Sequence, residues 1–131
     1  MYTRPMVFTG GMPKLAMSGD GWLSMAKPYR VNTDSNQIIG VAGLASGVWS
    51  RGMANPRTDT TADGATIIAA FPNMGIGDGM WLLVSCPAAG TLTLAAGANS
   101  TVTGTLTVPA GGNRWFFVSR TSATNIDWSG V

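Results

Sequence analysis

Thr101-Val102-Thr103-Gly104-Thr105-Leu106-Thr107-Val108 alternates hydroxyl and aliphatic side chains, with Gly104 as the only interruption. Successive side chains of a β-strand point to opposite faces. A period of two therefore sets one face on a core and leaves the threonines to solvent or a partner. Thr91-Leu92-Thr93-Leu94 carries the same pattern just upstream. Further out, Met80–Cys86 is continuously apolar and stops at Pro87, as expected of a strand buried on both faces. Ala65–Phe71 is a β-branched run stopped by Pro72 and reads as another strand. Asn113–Ser119 is an aromatic strand, and Thr124–Trp128 a short last one. Between them stand turn clusters: Pro87-Ala-Ala-Gly90, Gly97-Ala-Asn-Ser100, Pro109-Ala-Gly-Gly112 and Thr121-Ser-Ala. Short strands spaced about 8–12 residues apart predict an all-β fold, with an antiparallel β-sandwich or jelly-roll-like body over 64–131.

Before residue 64 the chain changes character. Gly10-Gly11, Pro13, Gly19-Asp20-Gly21 and Pro28 cut it into pieces too short for stable helices. Candidate strands are Met6–Thr9, Gly21–Met25 and Gln37–Val41, with a turn of helix or a strand at Leu44–Ser50. Five of the eight methionines (Met1, Met6, Met12, Met17, Met25) fall in the first 25 residues. Methionine is flexible enough to fill irregular contacts. Residues 1–63 thus read as an extended, loop-rich N-terminal arm that packs on the body or on partners, within one domain overall. Met1, Tyr2, Pro5, Met6, Phe8 and Met12 are its candidate partner-binding residues.

Composition narrows the function. A chain of 131 residues can bury about two thirds of its unfolded surface without metals or disulfides. It is 45% hydrophobic but only 11% charged, against about 25% charged in ordinary soluble domains. No apolar run approaches the roughly 18 residues of a spanning helix, so no membrane partner is expected. A charge-poor chain of this kind is expected to work buried against partners, itself included, as a dimer or trimer. The eight Lys and Arg are scattered rather than clustered, which gives no footprint for nucleic acid. The N-terminus lacks the apolar core of about 7–15 residues that a secretory signal needs, so assembly in a reducing cytoplasm is expected.

Most chemistry is excluded. There is no histidine, which removes Ser-His-Asp and Cys-His nucleophiles and the commonest general base. Asp59 and Asp63 lie in a Thr/Gly-rich stretch read as a loop, and Asp20, Asp34, Asp78 and Asp127 occupy turn contexts, where carboxylates bond their own backbone. No cluster of spaced acids suggests a metal. Ser24-Met25-Ala26-Lys27 matches an S-x-x-K string but lacks the larger helical setting such a motif needs. Gly75-Ile76-Gly77-Asp78-Gly79 precedes a strand rather than a helix, so a tight turn is favoured over a phosphate loop. Cys86 reads as a buried free thiol. No enzyme and no cofactor are expected. Among five tryptophans, Trp81 and Trp115 lie within apolar strands and are assigned to the core. Trp22, Trp49 and Trp128 have small or polar neighbours; core packing is the default for each, and contact with a sugar or a protein is the alternative.

Gly79-Met-Trp-Leu-Leu-Val-Ser, Gly90-Thr-Leu-Thr-Leu and Gly104-Thr-Leu-Thr-Val-Pro-Ala-Gly-Gly-Asn-Arg-Trp-Phe-Phe-Val-Ser-Arg resemble segments of small head-decoration (cement) proteins of tailed bacteriophages. That resemblance implies a β-sandwich or jelly-roll body seated on the capsid surface over joints between major capsid proteins. It also implies an arm that engages the lattice and a purely mechanical role in stabilising the shell. The same style of strand occurs in phage fibre domains, which leaves a receptor-binding or glycan-binding module, or another minor virion component, as the alternative.

Overall fold

The computed structural model describes residues 27–131 and, before them, the backbone of two paired strands, β1 (Ala16–Met17) and β2 (Leu23–Ser24). The remaining elements run β3 (Tyr29–Val31), β4 (Ile38–Ile39), α1 (Val41–Ser46), β5 (Val48–Arg51), β6 (Arg57–Thr61), α2 (Gly64–Ala70), β7 (Gly79–Cys86), β8 (Leu92–Ala95), β9 (Ser100–Gly104), β10 (Thr107–Val108), β11 (Gly112–Arg120) and β12 (Ile126–Gly130). The fold is therefore mostly β, with two short helices.

Two sheets share one apolar core. The larger has the order β3-β5-β7-β11-β12-β9 and the smaller β10-β8-β6-β4. From β3 to β10 the chain changes sheet at every strand. A chain that crosses to the opposite sheet and comes back lays its next strand beside the last in the same direction, which is why β3, β5 and β7 are parallel, as are β4, β6 and β8. Both sheets are consequently mixed. The antiparallel body expected over 64–131 holds for β7–β11, β11–β12 and β8–β10, but β9 joins β12 in parallel. Residues 29–61, read from sequence as part of an arm, supply strands to both sheets. Met6–Thr9 and most of Gly21–Met25 lie outside the described residues, and Gln37–Val41 shrinks to β4.

The eight-residue alternation at 101–108 is two strands, not one. Gly104 has φ of 75°, and a Cβ there would lie 2.2 Å from the Gly130 carbonyl oxygen. Only glycine permits that corner. It passes the chain from the larger sheet to the smaller while preserving which side chains face inward, so the alternation conceals the break. Ala65–Phe71, expected as a strand, is helix α2 with Phe71 as its C-cap. The Asp63 carboxylate accepts from Ala65 N–H at 2.9 Å, an N-cap. Ile67 and Phe71, four residues apart, share one face, and Ile67 is fully buried. β-Branched residues disfavour a helix by only about 0.7 kcal/mol or less each, a bias that cap and burial overcome. The Leu44–Ser50 segment resolves into the end of α1 and most of β5. Gly43 lets α1 close on the core, because a Cβ there would meet the Trp49 ring at 2.5 Å.

The core draws Leu82, Phe116 and Trp128 from the larger sheet, Leu92, Leu94 and Val108 from the smaller, and Leu44 and Ile67 from the helices. Within it lies one charged pair, Arg51 and Asp59, both fully buried and 2.7 Å apart. Arg51 also donates to Asp59 Oδ1 and to the carbonyls of Val31, Thr33 and Ser35. All five guanidinium donors are thereby used. Asp59 accepts in addition from Trp49 Nε1 at 2.9 Å and from Gln37 N–H at 3.0 Å. Asp59 is thus a strand residue of β6, not a loop carboxylate. The pair ties both sheets to the end of β3 and to the irregular segment 32–37.

Candidate functional site

Strand β7 alternates. Met80, Leu82, Val84 and Cys86 are buried, whereas Trp81 is 48% exposed and Leu83 half-buried. Strand β11 does the same: Phe116 and Val118 face the core, Trp115 is 50% exposed and Phe117 half-buried. The reading of Met80–Cys86 as buried on both faces, and of Trp81 and Trp115 as core, is corrected here. The outward face of the larger sheet has large apolar side chains at its centre.

Strand register arranges that face in rows. Leu83 pairs with Val48 on one side and Trp115 on the other, and Trp115 O accepts from Val131 N–H. The next row is Trp81, Phe117 and Ser129. Trp81 packs edge-on against Trp115, with centroids 6.2 Å apart and planes at 87°, and leans on Phe117 at 5.0 Å. A recess of about 400 Å3 opens between Trp81, Trp115 and Val131. Polar rows flank the aromatic stripe. On one side are Ser85 and Asn113, with the buried Ser50 next to Ser85. On the other are Ser119, Asp127 and Thr101, with Thr101 donating to Asp127 at 2.8 Å and Thr103 at 3.2 Å. An apolar centre within a polar rim is the usual anatomy of a protein contact surface.

The other sequence candidates fall elsewhere. Trp49 and Trp128, proposed as contact residues, are 2% and 0% exposed. Trp49 is held by its bond to Asp59 and by a parallel stack with Tyr29 at 5.3 Å. Trp128 lies in the core, its Nε1 without an acceptor among the described residues. Trp22 and the arm residues Met1, Tyr2, Pro5, Met6, Phe8 and Met12 lie outside the described residues. Trp81 and Trp115 thus face outward against expectation, whereas Trp49 and Trp128 take the core position that was their default rather than the contact role. A signal existed in the sequence. Gly79-x-Trp81-x-Leu83-x-Ser85 and Asn113-x-Trp115-x-Phe117-x-Ser119 each set their aromatics in phase with small or polar ends, the mark of an outward face.

Each described aspartate has a structural partner. Asp34 binds Arg57 at 2.9 Å and Asn55 at 2.7 Å, and these bonds hold its carboxyl down at about 2. Asp63, also held below its ordinary value, binds Asn99 as well as its cap amide. Asp78 accepts from Gly75 N–H and closes the tight turn expected there. Among the described residues no three His, Cys, Asp or Glu side chains gather to hold a metal. Burial pushes the Cys86 thiol up, and its Sγ donates to the Gly90 carbonyl. A second hollow, of about 470 Å3 beside Asp34 and Met53, is lined mainly by small side chains and is the weaker candidate.

Compared with protein-family models, curated proteins and solved structures, the chain matches none.

Proposed function

We propose that this chain is a non-catalytic structural component of a tailed-phage particle. Its two sheets pack as a sandwich, and it clamps joints between major capsid subunits from the outer surface of the shell. The observation that carries the reading is the aromatic stripe of Trp81, Trp115 and Phe117 on an open sheet face. Leaving half of each tryptophan in water forgoes about 2–3 kcal/mol per residue of burial, by the usual area coefficient and ring areas. Such a cost is retained where a partner recovers it. The low charge and the resemblance of the β7–β11 segments to cement proteins supply the identity of that partner. The Met-rich N-terminal segment serves as a second contact, and many copies on one lattice add through avidity.

The glycan-binding alternative is less well supported. The exposed rings stand perpendicular to one another rather than forming a flat platform, and among the described residues the recess between them is lined by Trp81, Trp115 and Val131. A sugar site needs polar groups placed to meet hydroxyls.

The test combines mass and binding. The purified chain is weighed by light scattering and mixed with expanded capsids that lack it. A dimer or trimer that co-sediments at stoichiometric occupancy and raises the temperature at which capsids break supports the proposal. A monomer that ignores capsids but binds a glycan array would transfer the stripe to the alternative.

A further inference from the structure

Strand β9 ends the larger sheet, and no described strand lies beyond it. Its bonds to β12 begin at Asn99 O, which accepts from Ile126 N–H at 3.1 Å. They finish where Thr105 N–H donates to Gly130 O at 3.3 Å. In a parallel ladder the residues that bond one neighbour recur at every second position. Asn99, Thr101, Thr103 and Thr105 therefore turn their backbone toward β12, whereas Ser100, Val102 and Gly104 turn theirs outward, away from the sheet.

Natural sheet edges are blunted by charge, proline, a bulge or a covering group. β10, the strand that β9 runs into, is closed in this way: Arg114 Nε donates to Thr107 O at 2.7 Å, and Pro109 follows. β9 carries no such device. Ser100-Thr-Val-Thr-Gly104 has no charge and no proline, keeps unbroken register with β12, and leaves Thr101, Thr103 and Gly104 exposed. The segment is also symmetric about Val102. Laid antiparallel on a second copy, Val102 faces the partner's Val102 and Ser100 faces the partner's Gly104, so each outward N–H and C=O meets a bonding group. Thr101 then stands opposite the partner's Thr103, a favourable cross-strand pair. A segment that complements itself suits a two-fold contact.

We propose that the chain forms a two-fold dimer through β9, which joins the larger sheets of two copies into one continuous sheet. The edge is short, so the association is weak beside large interfaces, in the micromolar range. The contact lies in the plane of the sheet, with β12 between it and β11, and leaves the Trp81–Trp115 face open. It does not rest on the capsid reading.

The first arm of the test is sedimentation of the full chain and of V102P across micromolar concentrations. Proline removes an amide donated across the two-fold, and that amide is not one that bonds β12. The native chain should be dimeric, and V102P should associate at least tenfold more weakly, with urea unfolding establishing that it is folded. The second arm decides should V102P unfold. T101C and T103C chains are oxidised separately and as an equal mixture; Cys86 is buried and stays unreacted. Directly opposed positions lie within disulfide reach, whereas like positions sit on the diagonal, about 7–8 Å apart, and do not. A covalent dimer should therefore form in the mixture and far less in either chain alone. A native chain that stays monomeric, a folded V102P that dimerises like the native chain, or equal cross-linking in all three samples would overturn the proposal. Capsid binding is not read in either arm, so failure here leaves the capsid proposal standing.

Discussion

Arg51 and Asp59 lie at the junction of the two sheets, with every guanidinium donor occupied. Removing one partner of a buried ion pair strands the other charge. Asp59→Ala is therefore expected to lower unfolding stability by about 3–5 kcal/mol in urea titrations, with the orphaned Trp49 Nε1 adding to the loss. The double change Arg51→Met with Asp59→Leu should cost less than Asp59→Ala alone. A double variant that costs as much as the two single losses summed would show that the pair is not coupled. The exposed pair Asp34–Arg57 makes a separate prediction about pH. The Asp34 carboxyl is held at about 2 against an ordinary 3.8. Its contribution is complete above the ordinary value and is lost as pH falls through about 2. The Asn55 amide resonance should therefore move with a midpoint near 2, and Arg57→Ala should raise that midpoint toward 3.8. At this scale the absence of histidine is read directly from the sequence. The sequence did not show that Asp59 was an inward-facing strand residue. That depends on Arg51, eight positions away in the chain and brought to it only by the crossing between sheets.

At the scale of elements, α2 and the corner at Gly104 are where the local pattern misleads. A β-branched run before Pro72 has the composition of a strand, and nothing in its own residues announces the cap at Asp63 or the core that receives Ile67. Because α2 turns Ile67 into the core and Thr66 to solvent, Ile67→Ala should cost about 2–5 kcal/mol, and Thr66→Ala should cost little. Comparable losses at both positions would contradict the helical assignment. Gly104→Val places a β-branched side chain at φ of 75°, against the Gly130 carbonyl. Strain of this kind costs on the order of 1–3 kcal/mol, and the steric contact adds to it. The variant should unfold at lower urea, and hydrogen exchange should quicken first in β9 and β10. Strands β7, β8 and β11 were legible from sequence because an apolar, alternating or aromatic run bounded by turn residues is a local signal. Their partners were not, because β7 and β8, though consecutive, belong to different sheets.

At the scale of the molecule, the class of fold was legible and its winding was not. Alternating runs and regular turn clusters gave a β-rich chain. Of the four turn clusters, only the one at Thr121 joins two strands that pair with each other; the other three carry the chain across the core. The candidate site was misplaced for the same reason: which side of a strand faces out depends on the sheet that covers it. Trp81 and Trp115 stand out as candidates only once β7 and β11 are paired and the opposite face of both strands is seen to pack into the shared core. The measurement that tests the central claim most directly compares the native chain with the Trp81→Ala, Trp115→Ala double variant in binding to capsids that lack the protein. Both side chains are half exposed, so the variant should keep most of its unfolding stability. It is predicted to lose at least tenfold in capsid affinity, the ratio equivalent to about 1.4 kcal/mol. A folded variant that still fills the capsid at native affinity would contradict the account.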